Sequence, residues 1–267
     1  MSSKKRSGPL NILVGISFVT MITVNALANI LPINGIGTGQ VSDSYPNLFA
    51  PTGLTFGIWG VIYLLLAAYL LFQFGLFHDG KERISSESST RTALLFSLSS
   101  FANAAWIFCW HYGQIGLSLI LMLIILVSLI GIVTGFRGRS ISKRERYFVR
   151  LPFSVYFGWI TVATIANVTT LLVDLGWSGF GISEATWTIV ILIVGAAIGI
   201  ATIRTNRDVA YGLVLLWAYL GIWLKHTSYD GFRSQYPMVI ITVISCFVLI
   251  VLVEFSLLLA RRTKREA

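Results

Sequence analysis

Apolar residues gather in eight stretches, at about 10–31, 53–77, 93–111, 115–136, 151–173, 185–203, 209–224 and 236–260. Each reaches, or nearly reaches, the roughly 20 residues a helix needs to cross about 30 Å of hydrocarbon. The pattern therefore predicts an all-α polytopic membrane helix bundle with eight spans. The 209–224 stretch is the shortest, and a tight break at Gln114 parts the third span from the fourth. Composition agrees: 55% of the residues are hydrophobic and 12% charged, where soluble domains average about 25% charged. Eight spans in 267 residues leave no room for a sizeable soluble domain, which excludes an appended hydrolase or kinase. Two cysteines, Cys109 and Cys246, make no disulfide framework.

The net charge of +9 would suggest nucleic acid in a soluble chain, but its distribution gives another meaning. In an eight-helix threading, 18 of the 20 Lys and Arg residues fall on one side, leaving only Lys225 and Arg233 on the other. The positive-inside rule makes the crowded side cytoplasmic, with both termini there, and nucleic acid drops out as a partner. Ala26-Leu27-Ala28 after the first span could be read as a signal-peptide cleavage site, but the apolar run before it is long enough for a retained helix.

Polar and aromatic residues within the spans carry the candidate chemistry. Trp110, Trp177, Trp187 and Trp223 lie at or near the outer boundary, where an aromatic belt accounts for them. Trp59, Trp106, Trp159 and Trp217 lie deeper. At about 1.5 Å per residue, Asn25, Trp59, Asn103, Trp106 and Asn167 fall in one layer roughly 10 Å below the outer ends of their helices. Helical spacing aligns Phe56, Trp59 and Tyr63, then Asn103, Trp106 and Trp110, then Tyr156, Trp159, Ala163 and Asn167. Two readings stay open on spacing alone. The amides could join helices while the rings fill a core, or together they could line an aromatic, hydrogen-bonding pocket open to the outer face.

The remaining ionisable groups narrow the chemistry. Glu254 is the one clear intramembrane carboxylate and is expected to reach toward Arg261. No lysine sits mid-span, and His78, His111 and His226 lie near interfaces without metal-ligand spacing. His111 next to Trp110 reads as an interfacial histidine rather than a haem ligand. No nucleotide loop, nucleophile elbow or HExxH is present. No metal site and no catalytic residue is expected.

The run Ala50-Pro51-Thr52-Gly53-Leu54-Thr55-Phe56-Gly57-Ile58-Trp59-Gly60-Val61-Ile62-Tyr63 resembles the start of the second helix in the tryptophan-rich sensory protein and translocator protein (TspO/MBR) family. Asn103-Ala104-Ala105-Trp106 is similar to that family's third-helix motif, and Tyr156-x-x-Trp159-x-x-x-Ala163-x-x-x-Asn167 to its fifth-helix pattern. Order and spacing agree over roughly 10–175. The paired prolines of the family are reduced to Pro51, and the fifth-helix proline stands at Pro152. No sterol-recognition pattern follows Asn167, and the stretch from Leu216 through Tyr219 to Lys225 fits that pattern only loosely.

The resemblance implies a five-helix TspO-like core over 1–175 and a three-helix membrane extension over 176–267, as in a longer bacterial subfamily. It places the chain in a bacterial inner (plasma) membrane and makes the glycine- and asparagine-rich loop at 32–52 a mobile lid over the pocket. It implies ligand-binding roles for Trp59, Tyr63, Asn103, Trp106, Tyr156, Trp159, Ala163 and Asn167. The expected partners are the lipid bilayer and a planar hydrophobic small molecule, with a homodimer as the compatible assembly. No cofactor is required, and a porphyrin or haem-like tetrapyrrole is the implied ligand. A non-enzymatic binding or sensory protein follows, with a small-molecule transporter as the alternative and an enzyme acting on bound porphyrin as a third reading. Tyr211, Trp217 and Tyr219 in the last three helices are read as packing residues.

Overall fold

A computed structural model describes residues 8–76 and 86–266, with side chains placed for 8–76 and 89–260. His78, the amino-terminal basic cluster and the side chains after Ala260 lie outside the described residues. Every regular element among the described residues is helical. The helices are α1 (Gly8–Ile30), α2 (Thr38–Asp43), α3 (Ile58–Gln73), α4 (Ser86–His111), α5 (Ile115–Thr134), α6 (Lys143–Glu145), α7 (Leu151–Asp174), α8 (Glu184–Asn206), α9 (Val209–Thr227) and α10 (Pro237–Glu266). Among the described residues, eight helical segments are long and apolar enough to cross a bilayer. The protein is an all-α, polytopic membrane protein in contact with lipid.

Two spans begin with local departures from the α-helix. The second span opens with a 3-10 turn at Gly53–Gly57 before α3 begins. The fifth begins at Lys143 and passes through a π-helical turn, Arg146–Arg150, before α7. Pro152 explains the wide turn, because its nitrogen has no hydrogen to donate and its ring displaces the carbonyl one turn back. The helix starts are capped where the chain turns sharply. Ser142 Oγ accepts from Glu145 N at 3.1 Å and Ser183 Oγ from Thr186 N at 3.2 Å. Asp208 caps α9 by accepting from Tyr211 N at 3.3 Å, directly after Arg207 ends α8 at φ 49°.

The chain divides into two compact units. The first comprises the chain up to Thr38 and Trp59–Phe157. Its interior is a ring cluster in which Tyr69 meets Phe153 at 4.8 Å and Phe96 at 5.3 Å, both edge-on. Asn25 of α1 donates to Met21 O and to Asn103 Oδ1 of α4, so α1 is joined to α4 through a buried amide pair.

The second unit comprises Gly39–Ile58 and the chain from Gly158 onward. Small residues let its helices approach closely. A Cβ on Gly199 would overlap Leu215, and one on Gly212 would overlap the Glu254 carboxylate. Glu254 is thus buried against α9, and the Arg261 side chain it was expected to reach lies outside the described residues. Helix α7 runs through Gly158, and the segment 39–58 belongs with α8, α9 and α10 in this unit.

The loop expected as a mobile lid is instead a bonded segment, and the correction has a physical basis in both units. In the first, His111 Nδ1 donates to Ile33 O at 2.9 Å, Asn34 Nδ2 donates to His111 O at 2.9 Å, and Trp110 Nε1 donates to Thr38 O at 3.2 Å. In the second, Thr52 N donates to Gly221 O, Trp217 Nε1 to Thr55 O, His226 Nε2 to Leu48 O and Leu48 N to Glu184 Oε1, all between 2.8 and 3.2 Å. Asn47 Oδ1 adds an internal turn by accepting from Phe49 N and Ala50 N. A loop whose backbone groups are satisfied this fully has little reason to leave its place.

Candidate functional site

In the first unit, α3 and α7 bring three of the expected residues together. Trp59 and Tyr63 are one turn apart on α3 and stack at 5.5 Å with 23° between planes. Tyr156, near the start of α7, meets Trp59 edge-on at 5.9 Å. Trp59 and Tyr63 are half-buried, whereas Tyr156 is fully buried.

Asn103, from α4, supplies the polar side of this cluster. Its Oδ1 accepts from Asn25 at 2.7 Å, and its amide lies beside the Tyr156 hydroxyl. The two are close enough to influence each other, yet no aligned hydrogen bond joins them. Asn103 Nδ2 and the Tyr156 hydroxyl are both buried without a hydrogen-bond partner. Buried polar groups left in that state cost about 1–3 kcal/mol each, so two side by side mark a place where a ligand group would be welcome.

Trp106 lies one turn further along α4 and stacks on Trp110 at 5.3 Å. Trp110 is 4% exposed and holds Thr38, so it is a buried structural residue and not a belt residue as expected. His111 is also structural. Its Nδ1 donates to Ile33 O, which leaves Nε2 to accept from the Thr38 hydroxyl at 3.1 Å, so both ring nitrogens are engaged.

Trp159, Ala163 and Asn167 lie on α7 in the second unit. Trp159 meets Phe56 edge-on at 5.8 Å, Asn167 is buried and Ala163 is half-buried. The structure therefore gathers Trp59, Tyr63, Asn103 and Tyr156 around one another, sets Trp106 on the same helix as Asn103, and gives Trp159 a separate ring partner.

Sequence reasoning missed a feature of the second unit, a cavity of about 420 Å³. Its walls come from 46–48, the end of α7, the turn at 176–179 and the start of α8. Trp177 and Trp187, expected as belt residues, line it with their rings 5.2 Å apart. Trp187 Nε1 donates to Gly179 O at 2.9 Å, and Gly179, at φ 66°, has its missing side chain facing that indole. The signal available in sequence was Gly176-Trp177-Ser178-Gly179-Phe180-Gly181, a glycine-punctuated aromatic turn between two spans. Burial and then the Asp174 carboxylate raise the Tyr45 phenol above its ordinary pKa beside this region. No group of three or more His, Cys, Asp or Glu among the described residues could hold a metal ion.

These features define a polytopic α-helical integral membrane protein with buried aromatic and amide clusters. A family profile described as TSPO-like protein matches residues 11–256, and the chain belongs to that family. The match continues through α8, α9 and most of α10 and does not stop near 175. No curated protein and no solved structure matches the chain.

Proposed function

We propose that the protein is a non-enzymatic binding or sensory protein whose ligand is a planar hydrophobic molecule of the porphyrin class, held in the first unit by Trp59, Tyr63, Asn103, Trp106 and Tyr156. The observation that carries this reading is the pair of orphaned polar groups, Asn103 Nδ2 and the Tyr156 hydroxyl, beside the Trp59 and Tyr63 rings. Indole and phenol faces suit a flat apolar body, and one donor with one hydroxyl suits its polar edge. The porphyrin class itself comes from the resemblance to the tryptophan-rich sensory proteins.

The reading is tested by titrating detergent-purified protein with protoporphyrin and following tryptophan quenching. Saturable micromolar binding, weakened about tenfold in both Trp59→Phe and Asn103→Ala, is the expected result. Unchanged titrations in folded variants would sink it. Transport is the competing reading, and ligand flux into proteoliposomes that survives both substitutions would favour it. The proposal includes a bacterial inner membrane with both termini cytoplasmic, supported by the 18 basic residues on one side of the threading. Alkaline phosphatase fusions active at either terminus would overturn that orientation.

A further inference from the structure

The cavity in the second unit has a chemical bias opposite to that of the first-unit cluster. Most of its wall donors are already spent. Trp187 Nε1 donates to Gly179 O, Leu48 N to Glu184 Oε1, Thr188 Oγ1 to Glu184 O and Thr169 Oγ1 to Ile165 O. Asn47 Nδ2 donates to Tyr45 O, and its Oδ1 is occupied by backbone amides. The Ser178 hydroxyl and the Trp177 indole N–H, both on exposed residues, are left at the mouth. Glu184 is the single ionised residue in the lining, and its carboxylate has one oxygen bonded to Leu48 N.

We propose that this cavity is a second ligand site, distinct from the porphyrin site, that takes a lipophilic amine: an apolar, preferably aromatic body carrying a protonated ammonium. The ammonium sits against the second oxygen of Glu184, and the body lies on the Trp177 and Trp187 rings. An alkylamine is protonated at neutral pH, brings the donors the wall lacks and gains cation–π attraction from the indoles. A volume of about 420 Å³ suits a small drug-sized molecule. The surroundings carry the same sign, since Asp174 lies close enough to Tyr45 to act on its phenol, while Lys225 is engaged by Asp43. Helix α8 begins at this site, and its amino terminus by itself would favour an anion. That potential is already used, because Ser183 caps the first turn and Glu184 occupies it. A phospholipid headgroup fits poorly, because its phosphate would lie next to the Glu184 carboxylate.

The test uses the full chain in phosphatidylcholine nanodiscs, whose neutral surface does not concentrate cations. Naphthylmethylamine and its neutral counterpart naphthylmethanol are titrated by energy transfer from tryptophan. The wild type is expected to bind the amine about fivefold more tightly than the alcohol, a modest ratio because Glu184 is exposed to solvent. Glu184→Gln keeps an acceptor for Leu48 N and should erase the preference for the amine over the alcohol. Ile191→Trp, which fills the cavity, should weaken both ligands at least tenfold. Equal binding of amine and alcohol by the wild type overturns the proposal without any variant having to fold. A preference that survives Glu184→Gln, or binding indifferent to Ile191→Trp, overturns it as well.

Discussion

The polar groups around the two candidate sites are arranged in opposite ways. In the first, a tight aromatic cluster contains an amide N–H and a hydroxyl, at Asn103 and Tyr156, that lie side by side without a well-formed hydrogen bond to any group. In the second, an open cavity is walled by groups whose donors are almost all engaged, and two buried phenols elsewhere in the unit are tied as well. Tyr219 donates to Leu192 O at 2.6 Å, and Tyr211 donates to Thr161 Oγ1 at 3.3 Å. The difference separates polar groups that hold helices together from polar groups that wait for a ligand. Only the second kind is costly in the empty protein, so stability measurements can tell them apart.

The largest effect should come from the tie between the 39–58 segment and α9. Gly221 O accepts from Thr52 N, and a Cβ at Gly221 would overlap the Thr55 hydroxyl. Gly221→Val is expected to lower stability by about 3 kcal/mol, read as the thermal unfolding midpoint in detergent. In the milder Gly221→Ala background, Thr55→Ala should recover about 1 kcal/mol through direct coupling. If Gly221→Val unfolds like the wild type, the segment is not docked on α9 in solution, and the contrast between units loses one side.

The tyrosines give a smaller but more diagnostic test, because the two signs differ. Tyr219→Phe breaks a buried hydrogen bond and should cost about 1 kcal/mol. Tyr156→Phe deletes a hydroxyl that has no partner, so the empty protein should be unchanged or up to about 1 kcal/mol more stable, while protoporphyrin affinity falls. Destabilisation by Tyr156→Phe equal to that of Tyr219→Phe would mean that the hydroxyl pairs with Asn103, and the polar pair would then be helix glue.

Hydropathy made the eight spans legible because a helix surrounded by lipid must be apolar along its whole length, and helical periodicity alone brought Trp59 into line with Tyr63. The amide pair of Asn25 and Asn103 was legible as a shared depth. The bonded 39–58 segment was not, because its partners are backbone atoms, which leave no trace in side-chain patterns. Its docking depends on His226, Trp217 and Gly221, more than 150 residues away in sequence. Glycine inside a short span was the one hint, since helix interiors rarely keep Gly without a close approach to accommodate. Trp110 was misread as a belt residue, and the cavity-lining position of Trp187 was missed, for a similar reason. Depth alone cannot show that an indole N–H has a carbonyl to reach, as Trp110 reaches Thr38 and Trp187 reaches Gly179.

The smallest expected effect concerns the one ion pair on this segment with both partners described, Lys225 Nζ to Asp43 Oδ1 at 2.9 Å. Its side chains are 23% and 54% exposed, so water and salt screen the attraction and it should be worth less than about 0.5 kcal/mol. Lys225→Met should therefore barely move the unfolding midpoint. A loss above about 1 kcal/mol would mean that charge, and not backbone hydrogen bonding, holds the segment to α9. The same variant sharpens the comparison from the cavity side. Without Lys225 the Asp43 carboxylate adds to the negative field of a unit that already carries Asp174 and Glu184, so the naphthylmethylamine preference should rise slightly at low salt. At about 1 M salt, where the screening length shrinks to roughly 3 Å, that rise should vanish, whereas the preference set directly by Glu184 should persist in reduced form.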